Sequence, residues 1–490
     1  MNRAYLDIIR HSSVYALGQI LGRLASFLLL PLYTRYLTIA DYGCIAILDL
    51  TANVVGILIG SGMAGAVTRH HFLAKTDSER GVVWWSGLTY MVACASLIIL
   101  PFVVARNPIA DALLGEEIKN RSLYLLLSLA TLWMSMLNQL PERYLRVRKW
   151  STYAAGLSIV RLLINVSLNV FFLVALDQGV GGILLGNLIT GVVMSVILFP
   201  MLMTNIGTYR FERTMVSELW TFATPIVVTS LLSLMMQQAD RFFLKIYLGL
   251  DAVGLFGVSY AIGQGLSNLC LIPFNSIWDV VMYEISEHPD SRKMYTQVFE
   301  YFVYGVTLLM FGASLFRKPI LALMVAPKFF AAQEWVPYVC LAFLLFNLHI
   351  HFKVPALLSK RTTSLVPSSA AAALTAILGN AVFCYLWGIT GAAITCVITN
   401  AVYSFVGLWN YRQIEVFHYP FKRCGWVLVG VVATFLAYDF AEPQIPFLAL
   451  RMVVAGVLWI AWSVYLFRPV VRPAMNLLAQ RRVDMAGRQA

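Results

Sequence analysis

The chain has 490 residues, 60% of them apolar and only 12% charged, with a mean hydropathy of +0.75. A water-solvated domain carries about 25% charged residues, so this composition excludes an ordinary soluble protein and indicates a polytopic chain solvated by lipid. Net charge is +12, and the seven cysteines fall in or beside apolar runs without CxxC or metal-ligand spacing, which reads as small core hydrophobes rather than disulfides or a metal centre.

Runs of about 20 apolar residues predict transmembrane helices. In chain order they fall at 12–36, 45–66, 82–105, 122–140, 152–176, 181–203, 217–246, 253–275, 298–316, 335–357, 367–387, 391–410, 424–440 and 446–467. The first is too long for a signal peptide, carries Arg23 and ends in no small-residue cleavage site, so it is expected to be retained. The longest predicted connection, about 276–297, is too short for a catalytic domain. Twenty-three loop arginines and lysines lie on the N-terminal side, against Arg35, Arg106, Lys119, Arg121, Arg317, Lys318 and Lys328 on the other. This bias puts both termini in the cytoplasm and requires an even number of spans. It also accounts for the net charge without a nucleic-acid partner. Trp84, Trp85, Trp150, Trp220, Trp335, Trp409 and Trp426 sit at predicted helix ends, as an interfacial belt would.

One stretch is written twice. Tyr36-Leu37-Thr38-Ile39-Ala40-Asp41-Tyr42-Gly43 returns 211 positions later as Tyr247-Leu248-Gly249-Leu250-Asp251-Ala252-Val253-Gly254. The basic turn at Lys149 returns at Lys360, and the glycine turn at Gly179 at Gly388. Six spans per repeat make the two copies parallel, with a pseudo-two-fold axis along the membrane normal. The expected architecture is therefore all-α, with about 14 transmembrane helices. Residues 1–205 and 206–415 form two six-helix lobes around a central cavity, and 416–490 adds two helices and a basic cytoplasmic tail.

Six basic residues remain inside predicted spans: Arg23, Arg161, Arg241, Lys245, Lys353 and Arg451. Each costs roughly 2.5–3.5 kcal/mol at mid-membrane, so together facing lipid they would cost on the order of 15–20 kcal/mol, beyond a typical fold's stability. Lys245, Lys353 and Arg451 lie near enough to span ends to snorkel; Arg23, Arg161 and Arg241 must face protein or water. Helical spacing aligns Gln19 with Arg23, Arg161 with Asn165 and Asn169, Gln237 with Arg241 and Lys245, Asp49 with Asn53, and Gln264 with Asn268. Asn53 and Gln264 are one repeat apart. These stripes predict a shared, wet, electropositive cavity. Asp49, Asp240 and Lys245 are candidates for charge balance or ion coupling. Against that stands the plainer reading, in which such amides are interhelical hydrogen-bond partners, Asp240 pairs with Arg241, Arg451 anchors its helix, and His349 and His351 are core residues.

The chain has no GxxxxGK[ST], no HExxH and no GxSxG before a helix. Energy would come from a proton or sodium gradient, the membrane potential, or substrate consumption on the far side. No cofactor or metal is expected, and an enzyme reading is weak.

Ser13-Val14-Tyr15-Ala16-Leu17-Gly18-Gln19, then Leu30-Pro31-Leu32-Tyr33-Thr34-Arg35-Tyr36-Leu37 and Asp41-Tyr42-Gly43, resembles the opening of bacterial polysaccharide flippases, the O-antigen and exopolysaccharide repeat-unit translocases of the multidrug/oligosaccharidyl-lipid/polysaccharide (MOP) exporter superfamily. The basic turn Tyr144–Lys149 looks like the family's as well. The resemblance implies movement of an undecaprenyl-diphosphate-linked oligosaccharide from the cytoplasmic to the periplasmic leaflet of the bacterial inner membrane, with a polysaccharide polymerase and a chain-length regulator as candidate partners. In that frame Arg23, Arg161 and Arg241 would meet diphosphate or acidic sugar, and Asn53, Asn165, Gln264 and Asn268 the glycan. Three alternatives stand beside it. A lipid II flippase would cluster several arginines in its first two spans, where this chain has Arg23 alone. A cation-coupled multidrug exporter would want an acid-lined cavity. A membrane polysaccharide polymerase or glycosyltransferase would want a large extracytoplasmic loop.

Overall fold

In a computed structural model, residues 29–359, 361–412 and 419–486 are described, and among them there is no strand. The principal helices are α1 (Ile39–Gly60), α2 (Met63–Leu73), α3 (Asp77–Val104), α4 (Arg121–Val147), α5 (Ser151–Val170), α6 (Gly179–Ile206), α7 (Arg213–Leu248), α8 (Leu250–Ser286), α9 (Ser291–Leu315), α10 (Val336–Phe352), α11 (Val366–Arg412), α12 (Phe421–Ala441) and α13 (Leu448–Ala486). Among the described residues, twelve helical segments are long and apolar enough to cross a membrane. The longest, α11, bends at Gly388 (φ 59°, ψ −133°), a left-handed conformation suited to glycine. The chain there folds back so tightly that a Cβ on Gly379 would lie 2.8 Å from the Thr395 side chain. This hairpin holds the predicted spans 367–387 and 391–410. The predicted first span has only its end, from Leu29, within the described residues. Gln19 and Arg23 lie outside them. The fold is all-α and polytopic, as the hydropathy pattern requires.

The repeated motif has a local reason. Thr38 caps α1 through a reciprocal capping box: its Oγ1 accepts from Asp41 N–H (3.1 Å), and Asp41 Oδ2 accepts from Thr38 N–H (3.0 Å). In the second copy Gly249, at φ 84°, starts α8 instead. The glycines closing each copy serve packing between the halves. A Cβ on Gly43 would sit 2.0 Å from the Leu250 carbonyl oxygen, and one on Gly254 would sit 2.2 Å from that of Ile39. Ile39 and Leu250 are themselves one repeat apart. The contact is thus reciprocal, like the isologous interface of a two-fold dimer, and packs α1 of the first lobe on α8 of the second.

Further bonds join the lobes near this point. Ala326 N–H donates to Thr34 Oγ1 (3.2 Å), Lys328 Nζ to the Arg35 carbonyl (3.4 Å), and Lys245 Nζ to the Ala112 carbonyl (2.5 Å). At the opposite end α7 leans on the first lobe, with Arg69 over the Phe222 ring (5.0 Å) and His70 Nε2 3.8 Å from Glu218.

Three expectations are corrected. The predicted loop 276–297 is mostly helix, because α8 runs unbroken through Pro273 to Ser286 and α9 begins at Ser291. Trp84, Trp85 and Trp335 are buried rather than interfacial; their indole N–H groups donate to His71 Nδ1, the Gly207 carbonyl and Thr390 Oγ1. Arg317, placed by sequence in a loop, is 7% exposed and bonded to Asp439 (2.5 Å) and Glu442 (3.0 Å). With Trp459 Nε1 donating to the Leu308 carbonyl (2.9 Å), that clamp holds α12 and α13 against α9.

Candidate functional site

Two polar cavities meet inside the molecule. The first, of about 600 Å³, lies between the lobes. Helix α1 contributes Tyr42 and Asp49, α5 and α6 contribute Asn165 and Asn187, α7 contributes Arg241, and α8 contributes Tyr260, Gln264 and Asn268. The second, of about 630 Å³, lies in the first lobe between α4, α5 and α6, lined by Asn138, Gln139, Glu142, Arg146, Ser158, Arg161, Asn165, Asn187 and Thr190. Both volumes fall in the range of ligand pockets. Asn165 and Asn187 line both cavities and close on each other across the boundary, Asn165 Nδ2 donating to Asn187 Oδ1 (2.8 Å).

Helix geometry explains which charges reach the cavities. Adjacent helical residues point about 100° apart, so Arg241 faces the interlobe cavity while the carboxylate of Asp240, 6% exposed, accepts the backbone N–H of Arg241 (2.8 Å). Arg241 Nη1 donates to Gln238 Oε1 (3.2 Å), and its guanidinium lies 5.5 Å from the centroid of the Tyr260 ring. Among the described residues no carboxylate is in ion-pair contact with it. Asp49 opposes it from α1 within electrostatic range. In the first-lobe cavity Arg161 Nη2 is bonded to Glu142 Oε1, both side chains partly accessible.

The expected site residues therefore divide. Arg161, Arg241, Asp49, Asn165, Gln264 and Asn268 line the cavities. Asn169 is fully buried, its Nδ2 donating to the Asn165 carbonyl (2.8 Å), which makes it a brace behind the wall. Gln237 lines a separate small groove with Ile57, Thr229 and Ser233. Asn53 is exposed and lines neither cavity. Lys245 is taken by the interlobe bond to Ala112 because it lies a turn beyond Arg241 towards the helix end. His349 stacks on Tyr403 (3.7 Å) and His351 lies among Phe274, Trp278, Phe299 and Phe302 at 4.9–5.5 Å, so neither reaches the cavities. Arg451 donates Nε to the Ile445 carbonyl (2.8 Å) and fits the anchor reading. Among the described residues no cluster of potential metal ligands occurs.

Sequence reasoning missed Glu142, Arg146 and Asn187. The span predicted over 122–140 stops short of Glu142 and Arg146, yet α4 continues through Pro141 to Val147 and carries both into the lobe.

Comparisons with known proteins agree with this architecture. Residues 8–278 match the family described as polysaccharide biosynthesis protein. Protein 1 of the Lsg locus of Haemophilus influenzae is 22% identical over 299 residues, covering 60% of this chain and 69% of the relative. Among solved structures, the inward closed conformation of the lipid II flippase MurJ superposes with a TM-score of 0.68 at 13% identity, covering 94% of this chain and 100% of that one. An inward-facing multidrug resistance MATE transporter of the MOP superfamily gives 0.59 at 15% identity, covering 81% and 94%. More than half of the chain lies within the family match, and the fold is shared with transporters of one superfamily: the chain belongs to the polysaccharide biosynthesis protein family and has the MOP-superfamily fold.

Proposed function

We propose that the protein is a flippase that moves undecaprenyl-diphosphate-linked polysaccharide repeat units from the cytoplasmic to the periplasmic leaflet of the bacterial inner membrane, with both termini cytoplasmic. The observation that carries this reading is Arg241 in an interlobe cavity of about 600 Å³ whose other polar lining is mainly amide and phenol. A diphosphate is best held by a guanidinium away from bulk water, where charge-assisted bonds are strong. Amides and phenols suit a glycan, and the lipid tail can stay in the bilayer. Residues 1–205 and 206–415 would be the rocking units of alternating access. Asp49 would balance Arg241 when the cavity is empty, and is the first place to seek proton or sodium coupling. The MurJ-like fold favours lipid II as the second reading.

The test is translocation of a labelled lipid-linked oligosaccharide in proteoliposomes. Arg241→Ala should lower the rate about tenfold or more, the value of one charge-assisted contact, while Arg241→Lys retains part of it. Wild-type rates in Arg241→Ala would remove the diphosphate role. Flipping of lipid II in preference to repeat units would establish the second reading.

A further inference from the structure

The first-lobe cavity holds an arginine already occupied by an anion of the protein's own. Arg161 of α5 is bonded to Glu142 of α4, yet neither group is sealed away: their side chains are 42% and 32% accessible, and both face the cavity of about 630 Å³. Arg146, a turn beyond Glu142, brings a second guanidinium that is in no ion pair among the described residues. Helix α6 adds only neutral polar groups, Asn187 and Thr190, to the lining. Among the described residues the lining therefore carries two positive charges and one negative. Gln139 Oε1 is buried beside it without a hydrogen-bond partner among the described residues. A bond serving only to staple α4 to α5 would need neither the surrounding space nor the second arginine.

We propose that Glu142 is an exchangeable counter-ion: it occupies Arg161 in the empty protein and is displaced when the diphosphate or acidic head of the substrate enters the first lobe. Two physical requirements meet in this arrangement. An arginine left unpaired at membrane depth is costly, so the empty state needs a neutralising partner. The partner must also be replaceable, and a single carboxylate competes poorly with a dianion that can engage Arg161 and Arg146 together. A small monovalent anion lacks that advantage, so the pair filters for charge as well as holding the lobe together. Beyond the cavity, the Asn165–Asn187 amide bond is the partition to Arg241, which makes Arg161 a first cationic station and Arg241 a second. This deepens the transport reading above and rests on it.

The test is calorimetric titration of inorganic diphosphate into the full chain in lipid nanodiscs. Glu142→Gln should bind about tenfold more tightly than wild type, since the ligand no longer has to break a charged hydrogen bond, and Arg161→Gln should bind at least tenfold more weakly. A folded Glu142→Gln protein with unchanged or weaker affinity would overturn the proposal and leave the pair a structural staple. If Glu142→Gln fails to fold, Glu142→Asp keeps the charge while withdrawing it from Arg161. It should tighten binding about threefold or more, and an unchanged affinity there overturns the proposal equally. Absence of diphosphate binding to wild type would also overturn it. Should oligosaccharide translocation persist in that case, only the counter-ion exchange falls; should translocation be absent too, the transport reading falls with it.

Discussion

One repeat after Glu142 stands Lys353, and one repeat after Arg161 stands Ala372, fully buried. Asn138 is answered by His349, stacked on Tyr403, and Asp49 by Tyr260. The first lobe thus keeps a polar cavity where the second stacks Phe346 and His349, the counterparts of Ser135 and Asn138, on Tyr403. Scaffold positions behave differently. Trp84 Nε1 bonds His71 in the first lobe, and at the matching places in the second the Tyr295 hydroxyl bonds the Met282 carbonyl. The chemistry of the brace has changed but its place has not. Duplication has preserved where helices touch, and the lining between them has diverged, so the two lobes are one frame with two interiors.

The largest effect should come from the element the lobes share. Gly43→Val and Gly254→Val each drive a side chain into a backbone carbonyl, and both should abolish the monodisperse fraction on size-exclusion chromatography. If one variant folded normally and the other did not, the reciprocal contact would be broken as a description. Next comes the contrast of interiors. Phe299→Ala in the dry lobe should cost about 3–5 kcal/mol by the usual large-to-small penalty. Asn165→Ala, at the wall of the wet lobe, should cost about 1 kcal/mol or less in thermal unfolding while slowing translocation severalfold. Equal stability losses would mean the first-lobe cavity is not hydrated. Short of the Phe299→Ala loss should come Trp84→Phe, which removes the pyrrole with its bond to His71 and opens a small cavity, at about 2 kcal/mol. Lys245→Met should be smallest, within about 0.5 kcal/mol, because its bond to Ala112 is made at an accessible edge.

Much of this was legible in the chain. Hydropathy alone locates the helices, since twenty apolar residues have no other use in water or lipid. The displacement of 211 announces the two-lobe frame, and the spacing of Arg161 and Arg241 with their amides announces polar cavities. The hidden parts have physical causes. The apolar run over 122–140 stops before Glu142, yet α4 passes through Pro141 and delivers it. Asp240 and Arg241 are neighbours in sequence, and only the turn of the helix separates their directions. Lys245 continues the Arg241 stripe, but the stripe cannot tell that α7 meets the other lobe there. Arg317 looked like a loop cation because its partners, Asp439 and Glu442, are more than a hundred residues away.

The reciprocal glycine contact also sets a mechanical ratio. From Leu250 to Pro273, α8 is a rod of roughly 36 Å at 1.5 Å per residue, held at one end by backbone touching backbone with no side chain between. A tilt of about 10° about that end sweeps the other through roughly 6 Å, more than a helical pitch, while the touching carbonyls barely shift. In the rocking motion proposed above, two side chains missing from the fulcrum would give the long arm its travel.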